Sequence, residues 1–255
     1  MKCIDSHTHT YFRSSDDLEL MSVSGVEGVV LCSYFPVQPT GASTVYDFFK
    51  FLSDEECARL ASYGIDFRLT VGIHPRSIPK YELDLAIERI LAIFDNALAN
   101  ALGEVGLETG GEGEVDVLIK QLRIANEYDR PVIVYTPQKN KEMVVDKLLG
   151  ILKEEYTDPS RIVVDHLTPM LVPKVRELGF NVGLTVQQGM LTPSDVKEVL
   201  ESYGPEGVIV NSNLGYEPSD PLAVLRTAKY LDRSGISGRD IQLVTYSNAR
   251  SLMWF

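Results

Sequence analysis

The strongest constraint on how this chain can fold is a repeated alternation. Eight short runs rich in β-branched residues begin near Lys2, Val26, Asp66, Ala101, Pro131, Arg161, Phe180 and Gly207, and each is followed by a helix-like segment. Val26-Glu27-Gly28-Val29-Val30-Leu31-Cys32 and Pro131-Val132-Ile133-Val134-Tyr135 typify the runs. Residues 115–128 typify the segments, with Leu118, Leu122 and Ala125 on one stripe. Strands alternating with helices imply a parallel sheet. Eight such units in 255 residues predict a single-domain (β/α)8 TIM barrel spanning residues 1–255, with a doubly wound open sheet as the alternative. Thr168-Pro169, Thr192-Pro193 and Asp220-Pro221 each place a capping residue before a proline and predict helix starts. No linker or compositional break divides the chain, and residues 238–255 are expected to add closing helices on the barrel wall.

Composition narrows the function classes. The net charge of −12 opposes extensive, sequence-independent binding to nucleic acid, which needs clustered Lys and Arg. It leaves room for a small anionic or ester substrate, or for a nucleic-acid strand end, at a locally basic pocket. No stretch is apolar for the length a membrane crossing requires, and the start Met1-Lys2-Cys3-Ile4-Asp5-Ser6-His7 does not read as a secretory signal. Three unpaired-looking cysteines, Cys3, Cys32 and Cys57, fit a reducing cytoplasm. The Gly- and Glu-rich residues 107–113 match neither a dinucleotide loop nor a P-loop; they read as a flexible acidic loop whose Glu108, with Glu112 and Glu114, would repel a phosphate.

The chemistry is concentrated where the runs end. Only four histidines occur, and all stand at or just beyond the C-terminal ends of predicted strands: His7 and His9, His74, and His166. In a strand, residues two apart share a face, so His7 and His9 project together with Asp5 one step deeper. A His-x-His pair at the mouth of a barrel is half of a metal site. Glu104, at the end of the fourth run between glycines, offers a carboxylate that could bridge two cations or complete one. By the same alternation His166 points inward with Ile162 and Val164, while Asp165 faces the helix layer as a structural or capping group. His74, followed by Pro75, suits a pocket wall, where it would orient substrate or donate a proton. Arg13, Arg76 and Lys139 follow strands one, three and five; they could grip a phosphate, and each is equally an ordinary solvated loop charge.

These residues carry a resemblance. The chain resembles the TatD-like metal-dependent hydrolases, a branch of the amidohydrolase-type TIM barrels, over nearly its whole length. The similarity rests first on Asp5-Ser6-His7-Thr8-His9 and on Gly103-Glu104-Val105-Gly106-Leu107-Glu108. Gly72-Ile73-His74-Pro75, Pro131-Val132-Ile133-Val134, Val163-Val164-Asp165-His166 and Ser247-Asn248-Ala249-Arg250 add to it. The resemblance, which is to an archaeal-type divergent member, implies a divalent-metal phosphodiesterase or nuclease-like activity. It makes His7, His9, Glu104 and His166 metal ligands, with Glu104 where related barrels use a carboxylated lysine.

Two positions depart from the family pattern. Tyr135 stands where strand five normally ends in histidine, and Asn213 stands in place of an aspartate that binds metal and helps activate the attacking water. A neutral phenol is a poor ligand. An amide oxygen can coordinate, but it has no charge and takes no proton at neutral pH. The expected cluster of His7, His9, Glu104, His166, Asn213 and Tyr135 then holds one certain negative charge. That under-neutralises two divalent ions about 3.5–4 Å apart. The expectation is one tightly held ion of zinc, manganese or iron on His7, His9 and Glu104, completed by Asn213 or His166 and water. Glu104, His74 and Asn213 are the candidate catalytic groups; Arg13, Arg76, Lys139 and Tyr135 are the candidate substrate contacts. The expected function is a metal-dependent hydrolase of phosphodiester or other ester bonds with a depleted metal centre. The alternative is a weak or inactive descendant that binds a ligand or partner in the same pocket. A nucleic-acid-binding module without chemistry is disfavoured, because no basic stripe is present.

Overall fold

In the computed structural model, which describes residues 2–253, all eight β-branched runs become strands. They are β1 Cys3–Thr8, β2 Val26–Leu31, β3 Asp66–Val71, β4 Ala101–Gly106, β5 Val132–Tyr135, β6 Ile162–Val164, β7 Asn181–Thr185 and β8 Val208–Asn211. The helices are α1 Ser15–Ser24, α2 Ala42–Phe51, α3 Cys57–Ser62, α4 Leu83–Asp95, α5 Glu112–Glu127, α6 Lys141–Glu155, α7 Val172–Glu177, α8 Pro193–Tyr203, α9 Ala223–Arg233, α10 Gly238–Gln242 and α11 Asn248–Met253.

The strands lie side by side in sequence order and every pair is parallel. A parallel bridge between Thr8 and Leu214, just beyond β8, brings the last strand round to the first, and the His9 amide donates to the Leu214 carbonyl at 2.6 Å. This is the (β/α)8 arrangement, not the open sheet. No helix among the described residues is long and apolar enough to cross a membrane.

Burial sorts the side chains into two layers. The larger core lies between strands and helices, for example Val29, Leu31, Leu102, Val105, Leu118 and Leu122. A smaller apolar set lies inside the cylinder: Ile4, Val163 and Ile209 pack on Ala249, and Val30, Ala101 and Ile133 group with Met253. The C-terminal segment therefore does more than line the wall. Ile241 and Val244 join the outer core, whereas Ala249 and Met253 of α11 fill the end of the barrel where the strands begin. Residues 254 and 255, expected in the same closing segment, lie outside the described residues.

Of the three Pro-marked starts, Thr192 alone caps a helix with its side chain as the sequence implies. Thr192 forms a capping box with Asp195 at the start of α8, and Thr168 precedes a 3-10 turn, Pro169–Leu171, leading into α7. After Asp220 the helix begins later, at Ala223, and the Asp220 side chain accepts the Leu222 N–H at 3.0 Å.

Candidate metal centre

Simple strand alternation would not aim the ligands where they are. Ile4 lies inside the barrel, so strict parity would send His7 outward. The pairing of β1 with β2 slips between Asp5 and Thr8, and His7 and His9 turn inward. In β4 the slip falls between Leu102 and Val105, which both pack outward although three residues apart, and Glu104 is turned in. Such irregularities re-aim a side chain at the cost of regular pairing. Gly103 allows it: its φ is 150°, and a Cβ there would meet the Ile133 carbonyl at 3.0 Å.

The third case corrects the sequence-based expectation. Ile162 and Val164 face the helices and Val163 faces the interior, so parity sends Asp165 inward, not outward. His166, at φ 58°, leaves the strand conformation and turns into the same space. Both residues therefore reach the centre. Gly183 makes room, because a Cβ there would fall 2.2 Å from Asp165 Oδ1. Asp5, expected beside His7, instead accepts the Ser212 N–H at 3.0 Å and the Ser212 hydroxyl, tying β1 to the turn after β8.

All four imidazoles converge on one carboxylate. Glu104 Oε2 lies 3.3 Å from His7 Nε2 and 3.6 Å from His9 Nε2; Glu104 Oε1 lies 3.2 Å from His166 Nε2 and 3.7 Å from His74 Nε2. All five residues are buried. The other ring nitrogen of each histidine decides its tautomer. His7 Nδ1 is 2.6 Å from Asp165 Oδ2 and His9 Nδ1 is 2.9 Å from the Cys32 carbonyl, so both Nδ1 atoms are donors. His166 Nδ1 is 2.8 Å from Thr185 Oγ1, whose own proton is directed to Asp165 Oδ1 at 3.3 Å. In their neutral forms these three rings present Nε2 lone pairs to the centre. His74 is opposite: its Nδ1 accepts the Arg76 N–H at 3.0 Å, so Nε2 carries the proton. His74 is thus placed as a hydrogen-bond donor rather than a ligand.

This donor set fits a divalent ion. Donors sharing one ion at about 2.0–2.2 Å lie about 3–3.6 Å apart; His7 Nε2 and His9 Nε2 stand 3.3 and 3.6 Å from Glu104 Oε2, and His166 Nε2 approaches the other carboxylate oxygen. His7 Nε2 is buried without a hydrogen-bond partner among the described residues. Each prospective ligand is held from behind by a carboxylate, carbonyl or hydroxyl, the usual support of a metal-bound imidazole. His7, His9 and Glu104 form one group of possible ligands, and His7, Asp165 and His166 a second. The first group is chemically available. Asp165 is already taken by His7, by Asn211 Nδ2 at 2.9 and 3.1 Å and by the His166 N–H at 2.7 Å.

The electrostatics agree. Burial alone would neutralise Glu104, but His7, His74 and His166 outweigh it and hold its carboxyl well below the usual range. Burial also opposes a charge on His7, yet Cys32, Glu104 and Asp165 raise its imidazole well above its ordinary value. Burial pushes His9 down to about 4 and His74 down to about 3. The buried negative charge therefore needs a cation, which a proton on His7 supplies when no ion does.

Above the centre lies a cleft of about 610 Å3. Arg76, Lys139, Tyr135 and Asn213 all line it. Arg13 does not: its Nε pairs with Asp17 at 2.9 Å and its guanidinium reaches the Gly215 carbonyl at 3.3 Å, outside the cleft lining. The Tyr135 ring packs against His74 and His166 at 4.4 and 5.6 Å between centroids, while its hydroxyl turns away to donate to Glu108 Oε2 at 2.6 Å. Asn213, at φ 47°, donates from Nδ2 to Gln187 Oε1 at 2.9 Å.

Three further contributors escaped the sequence reading. Thr185 orients His166. Lys141, at the start of α6, donates to the His166 carbonyl at 2.6 Å and to Thr136 Oγ1 at 3.1 Å, and burial lowers its amine to about 8. Glu108 belongs to the supposedly flexible loop, which is in fact held by Glu114: that carboxylate accepts the N–H groups of Glu108, Thr109 and Gly110 at 2.9, 2.9 and 3.0 Å. An acidic residue in the first turn of α5 was the available signal.

Comparison with known proteins places this arrangement. Residues 4–253 match the model of the TatD related DNase family. The chain is 33% identical over 248 residues to an uncharacterized metal-dependent hydrolase of Methanocaldococcus jannaschii, covering 97% of this chain and 98% of that protein. The crystal structure of a TatD-like protein from Archaeoglobus fulgidus superposes with a TM-score of 0.83 at 28% identity, over 99% of this chain and 100% of that one. A TatD homolog from Escherichia coli gives a TM-score of 0.72 over 99% and 98% of the two chains; at 20% identity that likeness speaks for the fold.

Proposed function

The chain belongs to the TatD-related family of metal-dependent hydrolases, and from that premise we propose that it hydrolyses a phosphate or other ester bond in a small anionic substrate, using one divalent ion. The observation that carries the proposal is the convergence of three imidazole lone pairs, each set by its own Nδ1 partner, on the Glu104 carboxylate.

His7, His9, His166 and Glu104 would hold the ion, and zinc, manganese or iron suits this mixture of nitrogen and oxygen donors. When bound, such an ion supplies Lewis acidity, polarising the scissile group and making water more acidic. Glu104 balances charge and is a weak base, because its carboxyl is held well below the usual range. His74 offers its Nε2 proton as a hydrogen bond to the oxygen on which charge develops. Arg76 and Lys139 hold the anionic portion of the substrate from the rim. Asn213 faces the same cleft with an amide, so it orients without taking a proton.

The hydroxyl of Tyr135 is committed to Glu108 and the amide of Asn213 to Gln187. Neither adds negative charge near Glu104, which supports a single ion. The acidic chain favours a small ester or a strand end over a long polyanion, and the cysteine content fits a cytoplasmic setting. The same two commitments also favour a second reading, in which the pocket binds a ligand without turnover.

Elemental analysis of natively purified protein tests the proposal. One equivalent of transition metal is expected, lost in a His7→Ala/His9→Ala variant, together with hydrolysis of phosphate esters by the parent alone. Metal-free protein whose melting temperature does not rise with zinc or manganese would overturn it. Metal without turnover on any ester would leave the binding reading standing instead.

A further inference from the structure

We propose that Arg76, Tyr135 and Lys139 form a subsite for a terminal, doubly charged anion such as a phosphate monoester group, and that the Glu108 carboxylate fills this subsite until such a group displaces it. The inference rests on the reading of the substrate as anionic and specifies which anion the cleft selects.

One oxygen carries the argument. Glu108 Oε2 accepts the Tyr135 hydroxyl proton at 2.6 Å and lies 3.6 Å from Arg76 Nε. The Arg76 guanidinium is sandwiched between two rings, its central carbon 5.1 Å from the Tyr34 centroid and 5.2 Å from that of Tyr135. The sandwich keeps the guanidinium in place whether or not Glu108 is present. Lys139 lines the same cleft and makes no ion pair among the described residues. Burial and the Glu108 carboxylate together keep the Tyr135 hydroxyl protonated far beyond its ordinary range, so it remains a donor. A guanidinium and a phenol face this internal carboxylate, and an ammonium lines the same cleft without an ion pair among the described residues.

That carboxylate is free to leave. The Glu108 N–H is anchored by Glu114 at 2.9 Å, so an exchange rotates a side chain and leaves the loop where it is. Its side chain is already 31% exposed, so water can receive it. A tethered carboxylate competes at high effective concentration. A singly charged anion matches its charge and gains nothing. A dianion brings more charge and more acceptor oxygens to the same donors, and only it has an advantage. The donors thus favour the dianion, and Glu108 sets a threshold that a weakly held monoanion, such as an internal diester of a nucleic-acid strand, does not reach.

Calorimetric titration of the full-length, metal-loaded protein with inorganic phosphate and with dimethyl phosphate tests this, repeated after chelation to remove any contribution of the ion. Tighter binding of phosphate than of dimethyl phosphate is expected in both forms. Glu108→Gln should tighten phosphate about twofold to fivefold, the weight of one partly exposed ion pair, and tighten dimethyl phosphate by a similar factor. Arg76→Gln should weaken phosphate at least about tenfold, and Tyr135→Phe should weaken it less. Metal content should not change in any variant. Unchanged or weaker phosphate binding in Glu108→Gln, or indifference to Arg76→Gln, overturns the proposal. Loss of these shifts with metal and hydrolysis intact condemns this subsite alone. The same shifts in a protein that carries no metal as purified and whose melting temperature does not rise with zinc or manganese condemn the hydrolase reading and leave the subsite standing.

Discussion

The two ends of the barrel are equally buried and chemically opposite. Where the strands begin, Ile4, Val163 and Ile209 close on Ala249. Where they end, His7, Glu104, Asp165 and His166 occupy the same cylinder at no more than 4% exposure. The first end gains from burial directly, at roughly 25 cal/mol per Å2 of apolar surface. The second loses hydration and must recover it by pairing. Nearly every buried polar atom there is paired; His7 Nε2, His74 Nε2 and Asn211 Oδ1 are the exceptions around the centre. One set of strands thus divides its labour along its length: packing below, and above it a costly arrangement that only a function explains.

Substitutions should separate the two ends. The largest effect is expected at the floor. Ile209→Ala should lower unfolding free energy by about 2–5 kcal/mol while leaving metal stoichiometry intact, as measured by denaturant melts and elemental analysis. A loss of metal in this variant would show that the ends are mechanically coupled, and the comparison would fail.

At the opposite end, Asp165→Asn removes the charge behind His7 without changing its size. Metal affinity should fall about 10–100-fold, read by competition with a chromophoric chelator, and the melting temperature of the chelated protein should also fall, because the lost carboxylate accepts from His7, Asn211 and the His166 N–H. An affinity equal to the parent's would mean that Asp165 only packs.

The smallest effect concerns Lys141. Its amine is at about 8 in the folded chain against an ordinary 10.5, because burial disfavours the charge. Between those values the unfolded chain binds more protons than the folded one, so stability should rise as pH increases through about 8 to 10.5. Chelated Lys141→Met should lack that rise. A parallel pH profile for variant and parent would remove Lys141 from the support of His166.

The floor was far more legible in the sequence than the mouth. Alternating β-branched runs are a long-range pattern, and each of the eight became a strand within a residue or so of its expected start. The four converging histidines and Glu104 were also visible, because their residue types are rare at strand ends. What parity could not deliver was aim. Parity with His166 inward puts Asp165 outside, whereas a left-handed backbone at His166 brings both inside. Arg13 follows strand one as Arg76 follows strand three, yet Asp17 four residues on claims it. Glu108 reads as a repulsive loop charge because its partners are distant in sequence: Arg76 lies in the turn after β3 and Tyr135 at the end of β5. Errors of this kind arise from local dihedrals and from contacts distant in sequence, which no periodicity encodes.

Because the chain has four histidines and all of them surround Glu104, it possesses no imidazole elsewhere to confuse a measurement. Every imidazole resonance in a nuclear magnetic resonance spectrum of the protein reports on this one spot. Loading with a diamagnetic ion should therefore move three sets of signals strongly and the fourth, from His74, differently, giving an inventory of occupancy without labels, tags or substrate.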